Sequence, residues 1–220
     1  MKTLLTMMTA AMMMMSCGSK KAECVENYDD VKDFVCINMQ GVGKIIYTQG
    51  DYGFRAEGDS ILVANTDVSV KDGCLTIGQK KSVKKSGDDG VTYYVSSPTL
   101  MKVESEGVGS FEANEPIVFE NDFAFESEGV GAVKIKDLTC QNFKFDQEGV
   151  GASEVTVRCN YAKYSSEGVG ASSLNVEAET LDLSSDGVGA VKVTGHVKHY
   201  NKQKDSFVSA VNDKGLVVEK

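Results

Sequence analysis

A short word repeated five times constrains this chain more than any other feature. An acidic residue, Gly-Val-Gly and a small residue recur with the first glycine at Gly107, Gly129, Gly149, Gly168 and Gly187, so the first spacing is 129 − 107 = 22 and the last is 187 − 168 = 19. A period near 20 is too short for a helical hairpin. It suits one coil of a β-solenoid, in which every turn pairs with the next and equivalent positions stack about 4.8 Å apart.

The flanks carry the register. Six, four and two residues before each first glycine stand Met101, Val103 and Ser105; Phe123, Phe125 and Ser127; Phe143, Phe145 and Gln147; Ala162, Tyr164 and Ser166; Leu181, Leu183 and Ser185. Four and six residues after it stand Phe111 and Ala113, Val133 and Ile135, Ser153 and Val155, Ser172 and Leu174, Val191 and Val193. Period two on both sides means strands with one buried face, and these columns are the expected interior. The glycines lie between them, where the coil is too narrow for a side chain or bends through a conformation open mainly to glycine.

Opposite parity gives the outer face. Glu106, Glu128, Glu148, Glu167 and Asp186 precede the glycines and form an acidic column, with Glu104, Glu126, Asp146, Ser165 and Ser184 two positions earlier. Val108, Val130, Val150, Val169 and Val188 share the outward parity and form an apolar column beside the acids, unless the glycines flip them inward. An exposed ladder of this kind is a candidate interface, because large exposed apolar patches mark contacts. A buried one serves folding alone. Stacked carboxylates repel unless they are protonated, compensated by lysine or bridged by a hard cation. The acidic column therefore reads first as a solvated face and second as a partner- or cation-binding ladder, since no Asp-x-Asp-x-Asp or Gly-Gly-x-Gly-x-Asp loop occurs.

Residues 1–16 read as a signal peptide: Lys2, an apolar stretch from Leu4 to Met15 too short to span a bilayer, and the small residue Ser16. Cys17 directly after it resembles the lipobox of bacterial lipoproteins, which implies a lipidated first residue of the mature chain. Two or more acyl chains anchor firmly at about 0.8 kcal/mol per buried methylene. Residues 17–29 are then the lipidated cysteine and its tether. A single β-solenoid domain is expected over 30–220, with N-terminal coils and a Lys-rich loop over 30–100, the repeats over 101–205 and a C-terminal capping segment over 206–220.

The chemistry on offer is thin. There are two histidines, His196 and His199, two arginines, Arg55 and Arg158, and no Trp. Charged residues number 23 basic and 32 acidic, and without residues 1–17 the balance is 22 − 32 = −10, which disfavours nucleic acid and anionic headgroups. No catalytic constellation, cofactor motif or zinc spacing emerges, and Gly-x-Gly here lacks the Gly-Lys-Ser ending of a phosphate loop. Cys140 and Cys159 both lie nine residues before the next motif glycine, in one column of adjacent coils, which permits either a disulfide or two buried thiols. Cys24 with Cys36 is a second candidate pair.

Upstream, the order Ile45-Ile46-Tyr47-Thr48-Gln49-Gly50-Asp51, Glu57-Gly58-Asp59 and Val70-Lys71-Asp72-Gly73-Cys74-Leu75-Thr76-Ile77, followed by repeated Gly-x-Gly turns, resembles the DUF2807 family, the auto-transporter adhesin head GIN domain, over about residues 30–205. The resemblance implies an all-β, right-handed parallel β-helix, often a lipoprotein of Bacteroidetes. This chain has Val inside Gly-x-Gly where that family commonly has Ser. The expected protein is a non-enzymatic lipoprotein of the outer membrane, on its periplasmic face or at the cell surface. Its lipid holds it to the membrane, and its solenoid offers a rigid surface to an envelope or extracellular protein or glycan, without a cofactor. One alternative is a polysaccharide-acting β-helix enzyme, for which the Trp platforms are missing and Arg158 is the one arginine in the repeats. Another is an envelope component that self-associates through its solenoid ends.

Overall fold

The computed structural model describes residues 23–80, 90–204 and 209–219. The signal peptide, Cys17, the tether as far as residue 22 and residues 81–89 of the Lys-rich loop lie outside the described residues.

In the order of the chain the elements are β1 (Glu23–Asn27), β2 (Cys36–Met39), β3 (Val42–Gln49), β4 (Gly53–Asp59), α1 (Ser60–Ala64), β5 (Thr66–Lys71), β6 (Cys74–Gln79) and β7 (Val91–Ser97). Then follow β8 (Lys102–Ser105), β9 (Val108–Ala113), β10 (Ile117–Val118), β11 (Phe123–Ser127), β12 (Val130–Thr139) and β13 (Asn142–Gln147). The last four are β14 (Val150–Ser166), β15 (Val169–Ser185), β16 (Val188–Lys204) and β17 (Ser209–Val218). They build a β-solenoid of about six turns. One wall of each turn ends just before the motif glycine and the next begins at the motif valine. Pairing is parallel and in register, so that Val108, Val130, Val150, Val169 and Val188 are successive partners.

Alternation buries the expected columns. Phe125 stacks on Phe145 at 5.5 Å and Phe145 on Tyr164 at 4.6 Å between ring centroids, all fully buried. A buried tyrosine needs a partner for its hydroxyl. Ser153 supplies one at 2.7 Å and itself donates to Ser172 at 2.9 Å, which explains two serines in an apolar column. Met101 departs from the expected interior. It is 48% exposed because the chain enters β8 only at Lys102, and Leu100 fills the inward slot instead. The extra residue in the coil from Gly129 to Gly149 also has a visible outlet. Between Ile135 and Leu138 the β12–β14 register slips by one, a β-bulge that leaves Lys136 and Asp137 opposite Thr156.

The N-terminal third holds the first Gly-Val-Gly coil and a cap. β2 and β3 form a coil that stacks beneath β8 and β9, with Val42 opposite Val108 and Gly43 opposite Gly109. The chain then leaves the rod. β6 and β7 stack in parallel beneath β2 and β3, while β1, β4 and β5 add antiparallel pairs outside them. Asp72 and Gly73 both have positive φ, the Asp-Gly turn that suits a two-residue hairpin between β5 and β6. The Asp59 carboxylate accepts hydrogen bonds from the amides of Ile61 and Leu62 and caps α1, which buries Leu62 and Val63 against the end of the core. At the other end β17 pairs with β16 through a bulge between Asn212 and Gly215, and Asp213 accepts from Tyr200 at 3.1 Å and pairs with Lys202 at 2.8 Å. A kinked, charged edge of this kind resists further strand addition.

Candidate binding face

Glycine shapes the corner where the two walls meet. A Cβ on Gly131 would fall on the carbonyl oxygen of Gly109, one on Gly151 on that of Gly131, and the same holds for Gly129 and Gly149 one register away. With the two inward slots occupied by neighbouring backbone, the residue between them projects outward. The motif valines are therefore exposed, not turned inward: Val108, Val130, Val150, Val169 and Val188 are each 50–52% exposed. Val42 extends the column at 39%, a sixth rung outside the acidic-Gly-Val-Gly pattern because Gln40 stands where the acid stands elsewhere.

Two positions beyond each of the five repeat valines the outward residue is small, whereas beyond Val42 it is Lys44. Ala132, Ala152, Ala171 and Ala190 are exposed, with Ser110 in the same column. Valines and alanines together make a flat strip of methyl groups along the rod. Where the strip reaches the cap it runs into a groove of about 470 Å³ between Val42, Gly43, Val108 and Gly109 on one side and Gly58 and Val91 on the other. The groove exists because these glycines leave its walls bare.

The two acidic columns differ in their surroundings. Glu104, Glu126 and Asp146 are interleaved with lysines: Lys102 lies 2.5 Å from Glu104 and 2.8 Å from Glu126, and Lys144 lies 2.7 Å from Glu126 and 3.8 Å from Asp146. Hydrogen bonds from Lys102 and Lys144 hold the Glu126 carboxyl below its ordinary range, while bonds to Glu104 and Glu126 raise Lys102 and the bond to Glu126 raises Lys144. Reading the outward columns diagonally would have found this ladder, since lysine stands two residues before two of the three acids. Glu106, Glu128, Glu148, Glu167 and Asp186 lie beside the valines, exposed at the corner, and among the described residues no ion pair reaches them. Nor does any group of three His, Cys, Asp or Glu suited to a metal ion occur among the described residues.

A family model described as "Putative auto-transporter adhesin, head GIN domain" matches residues 33–199. The chain belongs to the DUF2807 family. A solved "putative adhesin" from Bacteroides fragilis is 27% identical, with a TM-score of 0.72 over 88% of this chain and 97% of that one. A "putative adhesin" from Parabacteroides distasonis, 17% identical, covers 90% and 97% with a TM-score of 0.54. A "putative lipid binding protein" from the same organism, 15% identical, covers 90% and 97% with a TM-score of 0.52. These last two share the fold. No curated protein matches the chain. The DUF2807 assignment carries an adhesin-like role and a place in the cell envelope or at its surface.

In this DUF2807 chain free thiols are the reading found of the two open for Cys140 and Cys159, and the Cys24–Cys36 pairing gives way to another. Cys140 and Cys159 do occupy adjacent coils, and the Cys140 amide donates to the Arg158 carbonyl at 3.1 Å, but both thiols are free. The hydrogen bond to Cys159, with burial, holds the Cys140 thiol well above the ordinary range, so it stays protonated. Cys24 is free as well, and Cys36 is bonded to Cys74, its direct partner across the parallel β2–β6 pair. No sequence spacing announces that bond, because β6 reaches β2 only through the cap. Arg158 is held by Asp137 at 2.5 Å and Glu177 at 3.2 Å, on the wall remote from the Gly-Val-Gly corner in sequence register.

Proposed function

We propose that this chain is a non-enzymatic lipoprotein of the outer membrane, anchored through Cys17, whose valine and alanine strip with its bordering carboxylates binds a partner in adhesion or in envelope assembly. One observation carries the reading: six valines in register project into solvent, at positions the backbone forces outward. An exposed apolar ladder disfavours solubility and adds nothing to the core, so contact is the use left for it. Arg158 argues against the hydrolase alternative, because both of its flanking acids already engage it. The bulged, charged β17 edge argues against growth from that end.

The test is the double substitution Val150→Ser with Val169→Ser. At half exposure the pair costs less than about 2 kcal/mol of stability, while partner capture from envelope extracts by the delipidated protein is lost. Unfolding of the variant, or unchanged capture by a folded variant, would remove the interface. Mass spectrometry of the mature N-terminus checks the anchor: a diacylated or triacylated Cys17 supports it, and an unmodified cysteine contradicts it.

A further inference from the structure

We infer that the partner surface seated on this face is a cationic amphipathic α-helix lying along the solenoid axis. The inference rests on the interface reading above and adds the chemistry and shape of the occupant.

The spacing argues for a helix. Six valine rungs one coil apart span about 24 Å at about 4.8 Å per step. An extended chain laid along that axis repeats its same-face side chains about every 6.7 Å and falls out of step within two rungs. An α-helix repeats every turn at about 5.4 Å, stays within one rung of the ladder over its whole length, and needs about 16 residues to cover it. The width fits too. From the valine column to the alanine column is two strand residues, about 7 Å, and the acids stand across the bend on the other side of the valines, so the face is at most about 13 Å wide, against a helix diameter of about 10–12 Å. A helix seated over the valines and alanines therefore lays one flank along Glu106, Glu128, Glu148, Glu167 and Asp186.

Charge selects the partner. Those five carboxylates have no ion-pair partner among the described residues, whereas the next acidic column is already matched by Lys102 and Lys144. Two residues beyond the alanines the charged outward side chains alternate in sign, with Glu112, Lys134, Glu154 and Lys192. A row of Lys or Arg on one flank of the helix completes the face. A second copy of this chain does not, since among the described residues its lysine column of Lys102, Lys144 and Lys163 has its first two members already paired with Glu104 and Glu126, and it carries a net charge of −9. A sugar finds no aromatic ring on the strip, whose side chains are Val, Ala, Ser, Glu and Asp, with Gln40 and Lys44 at the rung nearest the cap.

The experiment uses the full chain and an 18-residue peptide of Leu and Lys with its leucines at helical spacing and one Trp, whose fluorescence reports binding because the protein has no Trp. Expected are saturable binding that weakens as salt rises, and helical circular dichroism gained by the peptide on binding. Affinity should fall at least tenfold with Val150→Lys and Val169→Lys and at least threefold with Glu128→Gln and Glu148→Gln, both variants melting as the parent does. Ala152→Arg, which obstructs the alanine column without touching a valine, should weaken binding as well. Equal binding by a Leu and Glu helix, or by the same Leu and Lys residues in strict alternation, would overturn the inference. So would an affinity unchanged in the lysine variant, or dimers of the protein that the lysine variant abolishes. If the Val→Ser pair abolishes capture of an envelope partner while no helical peptide binds, the interface stands and the helix falls.

Discussion

The first coil and the fifth carry the same glycine pair but arrive at it by different routes. Gly168 follows Gly149 after a single turn of chain, and everything between them is wall. Gly107 follows Gly41 only after the antiparallel cap has been built, yet Val42 meets Val108 in the same register as Val150 meets Val169. A coil is thus constrained by the coils above and below it, not by its neighbours in sequence. The glycines of the two regions serve different ends. In the repeats each occupies a site where a side chain would strike the preceding coil's backbone, whereas Gly73 and Gly78 in the cap have no atom within 4 Å of an added Cβ. Gly73 is there for its positive φ.

That contrast is sharpest in substitution. Gly131→Ala or Gly151→Ala should lose at least about 4 kcal/mol, or fail to fold, because the obstacle is backbone that cannot rotate away. Gly78→Ala should change stability by less than about 1 kcal/mol. Urea unfolding measures both, and equal losses would erase the distinction between the two uses of glycine. Next in size is the bond that ties cap to first coil. Replacing Cys36 and Cys74 with Ser opens a loop of 38 residues and should cost about 2–4 kcal/mol. Hydrogen exchange then locates the loss: faster exchange confined to β4 through β7 marks the cap as a separable unit, and a uniform rise through β14 to β16 marks a single cooperative one.

Smaller effects compare interiors. Tyr164→Phe removes one of the two hydrogen bonds of Ser153, leaving the one to Ser172, and should cost about 1 kcal/mol. In the first coil the Tyr47 hydroxyl donates to the Ser97 carbonyl at 3.1 Å, and Tyr47→Phe should cost a similar amount. A large difference between the two would mean that one region relaxes around a lost hydrogen bond and the other does not. Smallest is the pH response of the lysine ladder. The Glu126 carboxyl is depressed in the folded state, so its contribution is complete above the ordinary carboxylate range and is lost as pH falls through the depressed value. At one-third exposure that contribution stays below about 1 kcal/mol, read as the difference between parent and Glu126→Gln melts at pH 7 that closes at low pH.

Legibility in the sequence followed the same division. Inward columns such as Phe125, Phe145 and Tyr164 were readable because strand parity persists on both sides of the glycines, and the valines obey the same parity because the glycines fill inward slots without reversing it. The acidic column was readable for the same reason. The Gly-Val-Gly of residues 41–43 stood in plain view but was masked by Gln40 and by the absence of any further copy of the word before Gly107. The bond between Cys36 and Cys74 was not readable at all, since two strands 38 residues apart become partners only after the cap has folded back. Leu100 in place of Met101 turned on where a strand begins, which parity alone does not say.

The bulge-free coils above Gly149 superimpose end on end, and this gives the rod a unit of growth. Excision of Gly168 through Asp186 would bring Glu167 and Gly187 together across the junction every turn already uses, and duplication of the same stretch would insert one more turn as cleanly. Unequal exchange between such tandem segments changes the length of the molecule in whole steps. Each step adds or removes one methyl rung and one carboxylate, so reach can be tuned by copying alone while the lateral pattern stays fixed.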